Sequence, residues 1–283
     1  MTPRVSVLRQ IGLIFRQEMS DALRSRRAAV VLLLYLAAAT LTMNGSLSLL
    51  QRLESELASV LQLPASAEPG VVTQALWKSE RFRNMVARAA GSTSLVAELV
   101  GLSPIVLIYA GLAFFYTPFL AVLVAAPRLS EDLSHGSVRF VVSRAPRGAW
   151  SAGKGLAQVG LIAFSLLMGA AGAWIVARFR MPGADALELA LGFASESGRA
   201  LIYTLPFIGL AVGISQTTRS PNRAIGFGLA LLFMLGILAW ACSRYEGEGW
   251  AQIWTALRRC LPQAYRMDLW SRAPPRFIPA AVA

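Results

Sequence analysis

The chain has 283 residues, of which 55% are hydrophobic and only 15% are charged. Soluble domains carry about a quarter charged residues, so the balance excludes an ordinary soluble enzyme and points to a membrane protein. The net charge of +12 does not sit on a polar domain. It lies in the gaps between apolar runs, where basic residues meet anionic headgroups, and no nucleic-acid motif accompanies it.

Taken in chain order, Val5–Leu23 comes first. Leu8, Ile11, Phe15, Met19 and Ala22 recur at steps of three or four, and Arg9, Gln10, Arg16, Gln17 and Arg24 take much of the other side. This spacing predicts an amphipathic helix lying in the membrane interface over 4–27, with Leu13 outside the stripe. A solvated helix on a soluble domain is the plainer reading, but there is no soluble domain to receive it. The apolar run that follows starts late, at Ala28, and lacks a small-residue cleavage site, so it reads as a retained first span.

Five uncharged runs are bounded by charges: Ala28–Gln51, Leu99–Pro127, Gly155–Ala177, Ala200–Thr218 and Ala224–Ser243. Roughly 20 helical residues cross the hydrocarbon core, and backbone groups in lipid must bond internally. The expectation is an all-α polytopic membrane helical bundle with spans at 28–51, 102–127, 155–177, 200–218 and 224–243. A sixth apolar stretch opens at Phe277, and the sequence stops at Ala283, which suggests a missing last helix.

Basic residues set the direction. They crowd the segment before span 1, the loop 128–154 and the short gap holding Arg219 and Arg223, so that side is expected to be cytoplasmic. The gap 52–98 balances five basic with five acidic residues and is expected outside, with helical segments at Leu47–Leu63 and Val71–Ala89. The stretch 244–276 disagrees, since it is basic yet also falls outside in this topology.

Candidate chemistry is sparse. Gly148 to Lys154 matches the start of a phosphate-binding P-loop, but Gly155 stands where Ser or Thr must hold Mg²⁺, and a span follows at once. Lys154 reads better as an interfacial anchor. There is one histidine, His135, and neither HExxH nor GxSxG occurs, so catalytic dyads and metallohydrolase sites have no support. The five runs hold no charge, which argues against a buried ion pathway. Gly209 and Gly213 form a GxxxG pattern that is either a helix contact or ordinary glycine content. Met43, Met168, Met234 and Cys242 read as packing rather than as copper ligands.

The informative segment is Arg128–Lys154. Ser130, Glu131 and Asp132 can open a short helix with Val138, Val141 and Val142 on one face, which Pro146 stops. Such a helix between spans suits a groove on a soluble partner, and a solvated basic loop fits equally. Here the sequence resembles the permeases of the ABC-2 type. The resemblance rests on Glu131, Gly136-Ser137, Val141-Val142, Ser143-Arg144, Pro146 and Gly153-Lys154. It extends to the elbow-like segment Phe15-Arg-Gln-Glu18-Met-Ser-Asp21 and, loosely, to Leu261-Pro-Gln-Ala-Tyr265-Arg266. The chain is similar in particular to the branch that serves maturation of copper enzymes. The resemblance implies a transport subunit of the bacterial inner membrane with a cytoplasmic N-terminus. It also implies a second permease chain and an ATPase partner that holds ATP and Mg. Glu131, Gly136, Arg144 and Lys154 would then serve the coupling loop, with no catalytic, metal or substrate residue assigned on this chain. The family usually has six spans, and its outer insertion is shorter than 52–98. A non-transporting membrane scaffold with an extracytoplasmic partner is the alternative.

Overall fold

The computed structural model describes residues 6–60, 80, 84, 102–136, 146–181, 184–244 and 251–270. Among them it is helical, with α1 at Val7–Arg24, α2 at Arg26–Val60, α3 at Pro104–His135, α4 at Arg147–Arg180, α5 at Ala186–Thr217 and α6 at Pro221–Arg244. A short α7 (Ala251–Arg259), a 3-10 turn (Pro262–Tyr265) and α8 (Arg266–Trp270) follow. The five helices α2 to α6 are long and apolar enough to cross a membrane.

The helices start where the local chemistry says they should. Ser6 caps α1, its hydroxyl accepting from the Arg9 amide. Pro104 and Pro221 occupy the first positions of α3 and α6, where their missing N–H has no intrahelical use anyway. Asp185 caps α5, its Oδ1 accepting from the amide of Leu187 at 2.8 Å. Within the spans, Thr40, Thr42 and Ser48 turn their hydroxyls back onto carbonyls of their own helix, so these three hydroxyls are not left bare toward lipid.

The helices overrun the apolar runs. α4 begins at Arg147 rather than at Gly155, and α5 at Ala186 rather than at Ala200. The extension of α5 brings Glu188, Glu196 and Arg199 into a continuous helix, and Glu196 is 2% exposed. A search for uncharged runs could not see this, because it stops at the first charge, whereas a helix stops only where its backbone hydrogen bonds do. Ser130 also departs from expectation. It opens no separate helix but lies buried inside α3, which continues to His135.

Contacts divide the chain into two units. One comprises Met1–Tyr35, Tyr116–Ser165 and Tyr203–Ala264, and the other Leu36–Phe115, Leu166–Ile202 and Tyr265–Ala283. In the first unit, Leu161, Ile162 and Phe207 are fully buried among small residues such as Ala121, Ala126 and Ala211. In the second, Met43, Leu47, Ile105, Phe114 and Phe193 fill the interior. Without a hydrophobic force between helices in lipid, close backbone approach has to supply the contact. Gly172 does so in the second unit, where a Cβ would lie 2.7 Å from both Leu36 Cδ1 and Thr40 Cγ2. Large apolar side chains on α6, among them Phe227, Phe233 and Trp240, point outward, as expected of a surface solvated by lipid.

Most of the gap 61–101, the stretch 245–250 and the segment 271–283 lie outside the described residues, and with them the expected outer hairpin and the possible start of a sixth span.

Candidate functional site

The ends of α1, α3 and α4 meet in the first unit. Ser25 makes the joint that brings α1 there. Its amide closes α1 on the Ala22 carbonyl, and its hydroxyl accepts from the amide of Ala28, capping α2. One serine therefore ends one helix and starts the next, and the chain turns without a loop.

This turn lays α1 against α4. Two glycines set the distance. A Cβ on Gly153 would come within 2.7 Å of Ile14 Cγ2, and one on Gly160 within 2.6 Å of Met19 Cε. Phe15 stands beside Met19 at the second position. Part of the apolar stripe of α1 is thus spent on protein, while Leu8, Leu13 and Leu23 stay exposed. Leu13, outside the stripe in the sequence pattern, belongs to that exposed set.

At the crossing sits Lys154. Its side chain is 8% exposed, and its ammonium pairs with Glu18 of α1 at 2.6 Å and with Asp132 of α3. Trp150, one turn earlier on α4, lies with its ring centroid 5.4 Å from the same nitrogen. A buried ammonium needs this much compensation, because leaving water costs several kcal/mol that only close, well-placed partners return. The lysine expected as an anchor in the interface is therefore the hub of a three-helix ion cluster. The stretch Gly148–Lys154 is helical throughout, so it offers no phosphate-binding loop.

Glu131 lies beside the cluster but pairs elsewhere. Arg27, at the start of α2, donates to its Oε1 at 2.6 Å, and the two side chains are 68% and 30% exposed. Such a pair contributes little stability and leaves the carboxylate within reach of other partners. Gly136 follows α3 with φ of +68°, the left-handed conformation that ends a helix at little cost only for glycine. One residue before Glu131, Ser130 ties α3 to α5: its amide donates to Ser215 Oγ at 2.9 Å, while its hydroxyl turns back to the Pro127 carbonyl. Arg144, with Ser137, Val138, Val141 and Val142, lies outside the described residues.

Sequence reasoning named Glu131, Gly136 and Lys154 but missed Glu18 as their neighbour. A signal was available. Glu18 follows Phe15 by three residues and precedes Ala22 by four, which puts it on the apolar face that a solvated carboxylate avoids.

The second unit has a different polar cluster. The Tyr109 hydroxyl lies 2.7 Å from Ser197 Oγ and 3.2 Å from the Leu166 carbonyl, joining α3, α5 and α4. Its ring meets Phe193 at 4.9 Å between centroids. Arg180 donates from Nε and Nη2 to Asn44 Oδ1, and the Trp174 indole donates to the Ala186 carbonyl. Arg199 lies 3.6 Å from the buried Glu196 carboxylate. Gly209 and Gly213 have no neighbour within 4 Å of where a Cβ would stand, so their pattern makes no close contact among the described residues.

Residues 13–245 match the family model described as ABC-2 family transporter protein. Comparison with curated proteins found no match.

Proposed function

The chain belongs to the ABC-2 transporter family, whose members are the membrane-spanning subunits of ABC transporters, and from this premise we propose that it is the permease of an ATP-driven exporter. A second permease chain pairs with it in the bacterial inner membrane, N-terminus in the cytoplasm. A separate ATPase binds ATP and Mg and closes against the loop 128–154. The chain itself hydrolyses nothing.

The observation that carries the coupling reading is the Lys154 cluster. Lys154 pins the start of α4 to the end of α3 through Asp132, and both to α1 through Glu18. The two flanks of the loop are thereby held to helices that cross the membrane. A push on the loop travels into α3 and α4 as rigid bodies instead of being absorbed by a hinge. Glu131 suits the contact with the ATPase, being partly exposed in a weak pair that another cation can exchange. Arg144 is its basic counterpart at the far end of the loop. Gly136 ends α3 and lets the loop leave it sharply. The copper-enzyme context suggested by sequence resemblance supplies the first cargo to test.

The test is co-purification with the ATPase encoded beside this chain. Wild-type protein should bring it down, and the charge reversals Glu131→Lys and Arg144→Glu should weaken the complex and lower ATP-dependent export. If no ATPase follows the chain and the reversals leave export unchanged, the reading fails and a scaffold role replaces it.

A further inference from the structure

The first unit holds a cleft that neither the ion cluster nor the coupling reading uses. Its volume is about 370 Å³, within the size range of small-molecule sites. Residues from α2, α3, α4 and α6 form it. Its walls are apolar: Val31 from α2, Leu123 and Val124 from α3, Leu161 from α4 and Ile225 from α6. Arg26, Arg27, Arg128, Glu131 and Asn222 line it as well. Arg26 stands about one helical turn before Val30 and Val31, and Arg128 about one turn after Val124, so the charges lie one turn, roughly 5 Å, toward the helix ends from the apolar wall. The cleft is amphipathic along the membrane normal.

The charges are unbalanced. Glu131 is taken by Arg27. Arg26 and Arg128 have no carboxylate partner among the described residues. Two arginines without a carboxylate thus line an otherwise apolar slot. Water does not settle an apolar slot, because a buried water needs two to four polar partners. A free anion would answer the arginines and leave the walls unfilled. A molecule with a phosphate at one end and a hydrocarbon body at the other satisfies both. Guanidinium prefers phosphate for its bidentate geometry, and a second negative or neutral polar head is favoured over an ammonium, which would meet like charge.

We infer that this cleft binds one anionic glycerophospholipid, its phosphate held by Arg26 and Arg128 and one acyl chain lying between α2, α3, α4 and α6. The lipid is resident rather than transported. The inference depends on the membrane placement of the helices but not on the ATPase reading. It is tested on this chain without any ATPase, so failure of one leaves the other standing.

The experiment is native mass spectrometry of the full chain, released from a mild detergent after titration with phosphatidylglycerol or phosphatidylcholine. The wild type should retain one phosphatidylglycerol at a level at least about tenfold above phosphatidylcholine, since both offer the phosphate but only phosphatidylcholine brings an ammonium against the two guanidinium groups. Arg26→Gln with Arg128→Gln should remove that preference, and because neither side chain makes an ion pair among the described residues the substitutions leave the fold intact. Val124→Trp should fill the wall and lower retention of phosphatidylglycerol with the arginines untouched. Leu123→Phe repeats that test should the tryptophan variant fail to fold. Equal retention of the two lipids, unchanged retention in the arginine variant, or displacement of the bound species by inorganic phosphate would each overturn the proposal, the last by showing a free-anion site. A cleft that keeps no lipid in the wild type overturns it too.

Discussion

The two polar clusters are built from opposite chemistry. Around Lys154 the partners are ions, drawn from helix ends, and one buried ammonium serves two carboxylates on two other helices. Around Tyr109 the partners are a phenol, a serine and a backbone carbonyl, placed within helices long enough to cross the membrane. A neutral hydroxyl can be satisfied locally at modest cost wherever it sits. A charge costs several kcal/mol to bury and is tolerated only where opposite charge or hydrogen bonds close on it. The difference teaches where the chain depends on tertiary assembly: at the Lys154 cluster, removal of one group strands two others.

The largest expected effect follows from that. Lys154→Met removes the cation that Glu18 and Asp132 share, and should cost about 3 kcal/mol, read as lowered thermal stability in detergent. The double variant with Glu18→Gln should recover part of the loss. Additive losses would show that the two groups do not interact and would break the comparison.

Next come the glycines on which α1 rests. Gly153→Leu or Gly160→Leu forces Ile14 or Met19 aside and should cost about 1–3 kcal/mol. Gly209→Leu, with open space around it, should cost nothing measurable in the isolated chain. Equal effects at Gly153 and Gly209 would mean that α1 does not pack on α4 as described.

Tyr109→Phe removes a single neutral hydroxyl and should cost about 0.6–1.7 kcal/mol, the span measured for hydrogen bonds between membrane helices. A loss as large as that of Lys154→Met would erase the distinction between the clusters. The smallest effect belongs to Arg27→Ala. Its pair with Glu131 is largely exposed and should contribute under about 1 kcal/mol, falling further in high salt. Stability that is indifferent to Arg27 while export responds to Glu131 would separate the outer pair, available for function, from the inner one that holds the helices.

Much of the fold was legible because bilayer physics is unforgiving. Five apolar runs had to be helices, and they are. The bounds were less legible. Charge ended the runs at Lys154 and Arg199, yet both residues lie inside helices, because their partners Glu18, Asp132 and Glu196 come from elsewhere in the fold or from the preceding turn. Of the site, the sequence pattern placed Gly136 within a short helix that opens at Ser130 and that Pro146 stops, whereas α3 ends at His135 and Gly136 takes the left-handed conformation. Glu131 was named for a contact with the ATPase, whereas its partner in this chain, Arg27, lies 104 residues away, and no local pattern connects the two.

The sequence by itself determined that this chain crosses a membrane, that its spans are helices and that it belongs with the ABC-2 permeases, because hydropathy and a short run of motif residues are local properties. The tertiary structure alone decided what Gly153 and Lys154 are for. The same pair of letters fits a phosphate loop, an interfacial anchor or a helix crossing. Only the arrival of Ile14, Glu18 and Asp132 from other helices makes it the last, since this close approach and these ion pairs lie between elements and not within one.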